Sequence, residues 1–79
     1  MGFGIVSVFK VSERASLADF VYEHEGQSGT FTIDRITRYV MSVNLAQEEQ
    51  HGHIFLKALH KITQAWERGE LPDKVSWAG

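Results

Sequence analysis

Apolar and polar residues alternate along the first half of the chain, and beyond Asn44 the period changes from two to between three and four. In residues 3–11, Phe3, Ile5, Phe9 and Val11 fall on one face of an extended chain and Val6 and Val8 on the other. Apolar residues on both faces predict a strand covered on both sides. The polar stretch SERAS, residues 12–16, reads as a connection. Residues 17–25 form a second strand, with Ala18, Phe20, Tyr22 and His24 on one face and Leu17, Asp19, Val21, Glu23 and Glu25 on the other. Gly26-Gln27-Ser28-Gly29 is a turn signal, since glycine adopts positive φ without strain. Residues 30–34 give a third strand with Phe31 and Ile33 inward, residues 34–37 a tight turn, and residues 38–43 a fourth strand with Tyr39, Met41 and Val43 on one face. Connections this short predict a four-stranded antiparallel meander.

The second half reads as one helix. Asn44 is a cap candidate with Gln47 three residues on, and Glu48 and Glu49 suit the positive end of the helix dipole. Phe55, Ala58, Leu59, Ile62, Ala65 and Trp66 recur at the spacing of a buried stripe. Gly69 fits the position just past the helix end, and Pro72 forbids continuation. The pattern predicts a helix of about 20–24 residues packed on one face of the sheet, an α+β fold. Gly52 costs about 1 kcal/mol inside a helix, which makes a start near His51 the alternative. Residues 71–79 read as an extended tail, with Val75 and Trp77 too apolar to stay in water.

Length and charge narrow the functional classes. Seventy-nine residues make one small domain. A chain of this size buries only about 60–65% of its unfolded surface, so disulfides, a metal or a second subunit commonly add stability. The chain has no cysteine, which removes disulfides and thiolate zinc sites and suits a reducing compartment. A net charge of −2, from 8 basic and 10 acidic residues, lacks the basic excess of a general nucleic-acid binder and gives no attraction to anionic membranes. The apolar start has no positive flank or cleavage site, and Lys10 and the short length argue against a membrane span. These features predict a soluble cytoplasmic protein.

The histidines are the residues that invite a chemical reading. On a helical wheel His51 and His53 differ by about 200°, so they cannot share one ion. His53 and His60 share a face, but seven residues rise about 10.5 Å along a helix. The expectation is therefore no bound metal and no cofactor. Tyr22, His24 and His51 are the one constellation to consider for acid–base chemistry, in a crevice between helix and sheet. Glu23 and Glu25 read as solvated strand charges rather than paired catalytic carboxylates. Arg35, Arg38, Lys57 and Lys61 could contact phosphate, although without interleaved exposed aromatics they read as a mixed surface.

No catalytic motif or phosphate-binding loop stands out, so the leading expectation is a non-enzymatic interaction or regulatory module. The alternatives are a small enzyme or ligand-binding protein using Tyr22, His24 and His51, and a nucleic-acid binder using the four basic residues. A single helix about 10 Å wide cannot cover strands spaced about 4.8 Å apart across a whole sheet. Val6, Val8, Leu17, Val21 and Val40 read as a second apolar face, away from Phe9 and Phe31. Both arguments predict a homodimer, with Ile54, Leu56 and Trp77 as the contact residues.

Overall fold

Two-residue turns set the register of the sheet. The computed structural model describes residues 5–45 and 52–78. Strand β1 (Ile5–Arg14) turns through Ala15 and Ser16 into β2 (Leu17–His24), with Ala15 at φ 51°. At the next hairpin, Glu25 and Gly26 both have positive φ, 51° and 78°, the conformation whose twist matches the flanking strands. The chain therefore re-enters the sheet at once, and β3 runs Gln27–Asp34. Ser28 and Gly29, expected in the turn, lie inside this strand. Gly29 stands opposite Tyr22, and a Cβ there would come within 2.4 Å of the Tyr22 hydroxyl. The aromatic ring occupies the space that a side chain would need.

Asp34 closes the following turn as expected. Its Oδ1 accepts from the amides of Ile36 (2.8 Å) and Thr37 (3.2 Å), and its amide donates to the Tyr39 carbonyl (2.9 Å). Strand β4 (Val40–Asn44) follows. Helix α1 occupies His53–Glu67 and strand β5 Lys74–Ala78. All neighbouring strands are antiparallel, in the order β4-β3-β2-β1-β5. The first four form the expected meander. The tail supplies a fifth strand: Val75 pairs with Val8 and Trp77 with Val6 of the same chain.

The register reverses part of the face assignment. Val8 stands opposite Tyr22, Phe20 opposite Phe31, and Ile33 opposite Val40, so Val6, Val8 and Val40 belong to the inner face. Phe9 pairs with Val21 and faces away from the helix. Strand β1 is apolar on both faces, so alternation alone leaves its orientation open. In β4 a register shift between Thr32 and Ile33 puts Val40 and Val43 inward, instead of Tyr39, Met41 and Val43 on one face. A second irregularity, between Lys10 and Ser12, lets β1 continue through the stretch expected to be a loop. Phe3 lies outside the described residues.

The helix has 15 residues and begins at Gly52, not at Asn44. Asn44 ends β4 opposite Thr30, while Gly52 caps the helix in a left-handed conformation, φ 70°, that glycine reaches without strain. The proposed capping partners Gln47, Glu48 and Glu49 lie outside the described residues. Ala58 and Ile62 are fully buried over Val8, Ala18, Phe20, Tyr22, Phe31 and Ile33. Ile54, Phe55, Leu59 and Trp66 pack around this core from the helix, and Leu71, Val75 and Trp77 from the tail. The helix backbone comes nearest to β1 and β2, while Trp66 meets Arg38 just before β4 and the helix cap Gly52 lies against Leu45 just after it.

Candidate functional site

Alternation sends every second side chain of β2 into the core, and this decides the first candidate group. Tyr22 is completely buried, its ring 6.2 Å from that of Phe31 and 6.4 Å from that of Phe55. His24 shares its face two residues on, at the strand end opposite Val6, and is half-buried. Around it lies a shallow, open depression lined by Ile5, Ser7, Glu23, Glu25 and Gly26. His51, the third member, lies outside the described residues. Tyr22 thus packs in the aromatic core, while His24 borders solvent. His53 opens the helix and is exposed, as is His60 two turns later. Among the described residues, no three histidine, aspartate or glutamate side chains gather where they could hold a metal ion. No described helix is long and apolar enough to cross a membrane.

The basic residues are dispersed. Arg35 lies 3.3 Å from a Glu13 carboxylate oxygen and donates to the Ala15 carbonyl at 2.5 Å, so it ties two turns together. Arg38 lies over the Trp66 ring, 4.5 Å from its centroid, a cation–π contact between turn and helix. Lys57 and Lys61 stand on the helix.

The most organised polar group was not expected. Asp19 projects from the middle of β2 on the face away from the helix and accepts four hydrogen bonds. Arg14 donates two at 2.9 Å each, in a fork matched to the carboxylate, and the hydroxyls of Ser12 and Thr32 each donate at 2.6 Å. Three strands are thereby clamped at one point. Arg14 first, then the two hydroxyls, hold the Asp19 carboxyl well below its ordinary range, because every donor favours the charged form. With its acceptor positions filled, the carboxylate serves the sheet and has little capacity left for a ligand. Alternation places Asp19 on that face, but only the register brings Ser12, Arg14 and Thr32 to it. Nearby, Lys10 bridges Glu13 and Asp73, the latter at 2.9 Å, and both partners raise the ammonium's pKa. This bridge fastens the tail to β1.

The three proposed contact residues have different environments. Ile54 and Trp77 pack against the core of their own chain, whereas Leu56 is 56% exposed on the outer side of the helix. A larger apolar surface lies along the β4 border, where Tyr39 is 71% exposed, Met41 58%, Leu45 41% and Val43 39%. The sequence signal for it is the absence of charge in residues 40–45. No protein-family model, curated protein or solved structure matches this chain.

Proposed function

We propose that this protein is a non-enzymatic homodimeric interaction or regulatory module. The observation that carries the reading is the exposed apolar border of β4. Tyr39, Met41, Val43 and Leu45 stay exposed there although Trp66 and Gly52 reach the two ends of the strand, an arrangement that suits association better than solvation. A small domain gains stability by covering such a surface with a partner. The burial of Tyr22 among aromatic rings also supports binding over acid–base catalysis, since a general base or acid must reach its substrate. The ion pair of Arg35 with Glu13 lowers the charge offered to nucleic acid, and the basic residues stand apart on turns and helix instead of forming one stripe. Sedimentation equilibrium at micromolar concentration tests the reading. The expected result is twice the mass of a single chain, and a folded monomer across the concentration range overturns it.

A further inference from the structure

The two edges of the sheet are built differently. Edge strand β5 follows Pro72 and Asp73, opens with Lys74, and is tied to β1 through Lys10, whose amide also donates to the Asp73 carbonyl at 2.8 Å. Proline and charge are the usual protection of an edge against pairing. Edge strand β4 has neither proline nor charge, residues 40–45 reading Val-Met-Ser-Val-Asn-Leu, and its one irregularity is the register shift at Met41. Each of the other strands carries at least one charged residue, Lys10, Asp19, Asp34 and Lys74 among them. Strand β4 is therefore a neutral edge, with apolar side chains exposed along it and one row of backbone groups facing away from β3.

We infer that β4 pairs antiparallel with β4 of a second copy of this chain, joining two five-stranded sheets into one across a two-fold axis at Ser42. This inference rests on the homodimer reading and adds the surface and its register. The occupant follows from self-complementarity. Ser42 is the midpoint of the five-residue strand, and an antiparallel two-fold there sets Met41 against Val43 of the second copy and Tyr39 against its Leu45. Two of the three pairs flanking Ser42 join exposed apolar residues, the third sets Val40 against the neutral Asn44, and no like charges oppose each other along residues 39–45. The inner-face side chain of Val43, opposite Phe31 yet 39% exposed, would gain cover from the second copy.

The chain has no cysteine, so one introduced thiol reports the geometry cleanly. Directly opposed residues of antiparallel strands have Cα atoms about 4.5–5.5 Å apart, within disulfide reach. Under mild oxidation at micromolar concentration, Ser42→Cys should cross-link to a covalent dimer, whereas Lys74→Cys on the opposite edge and Leu56→Cys on the helix should not. Met41→Lys, at an exposed position that the fold of the monomer tolerates, should weaken dimerisation at least about 100-fold, with an unchanged circular dichroism spectrum. Leu56→Lys should leave it unchanged. A wild-type dimer that survives Met41→Lys, or one in which Ser42→Cys does not cross-link, overturns the β4 interface and leaves the homodimer standing. A wild-type monomer overturns both.

Discussion

Phe31 and Phe9 stand on opposite faces of the same sheet, and their surroundings show how each face is held. Phe31 is 1% exposed and sits at the centre of an aromatic cluster: it stacks on Phe20 at 5.2 Å and meets Phe55 edge-on at 5.4 Å. Phe9 is half-buried beside Val21, with the Lys74 ammonium 5.4 Å from its ring. The inner face coheres by excluding water over close-packed rings and branched aliphatics. The outer face coheres through the hydrogen bonds converging on Asp19, with Thr30 near it and a Ser7–Ser76 hydroxyl contact of 3.1 Å farther along the sheet. Burial can supply several kcal/mol per residue, while a solvated ion pair supplies about 1 kcal/mol or less. The inner face therefore carries most of the stability, and the outer face serves register and solubility.

The largest expected effect comes from truncating the two phenylalanines separately. Phe31→Ala should cost about 3–5 kcal/mol in urea unfolding, and Phe9→Ala less than about 2 kcal/mol. Equal costs would mean that the outer face is as well covered as the inner one.

A smaller loss is expected where the inner face has no room to spare. Gly29→Val places a side chain where the Tyr22 ring lies and should cost about 1–3 kcal/mol through overpacking. Pairing it with Tyr22→Ala vacates the ring's space. The double variant should then lose less than the sum of the two single losses, and strict additivity would show that ring and glycine do not compete for space.

The smallest effect belongs to the outer face. Asp19→Asn keeps the shape but removes the charge, and should cost about 1–2 kcal/mol near neutral pH. Because the folded pKa of Asp19 is depressed, its contribution is fully present above its unfolded pKa of about 3.9 and is lost as pH falls toward the folded value. Glu13, lowered chiefly by Lys10, acts in the same direction. Wild-type stability should fall with acid below about pH 4, and the Asp19→Asn variant should fall less steeply. Identical slopes would remove Asp19 from the account of acid sensitivity.

Much of this was legible in the sequence because it depends on local physics. Alternation in residues 17–24 requires a strand with Phe20 and Tyr22 together, since side chains of a pleated strand alternate whatever lies above it. The stripe from Phe55 to Trp66 requires a helix buried on that side, although its start, expected at Asn44, was settled only by the left-handed conformation of Gly52. Tertiary structure alone decided which face of β1 points inward, because Val6 and Val8 on one side and Phe9 and Val11 on the other are equally apolar until pairing with β2 selects between them. It also decided that the tail would become a fifth strand of its own sheet, since Val75 and Trp77 show only that they need cover. The cluster around Asp19 draws on three strands, and the exposure of Tyr39, Met41 and Val43 depends on how helix and sheet pack. Such contacts join residues far apart along the chain, and local periodicity carries no information about them.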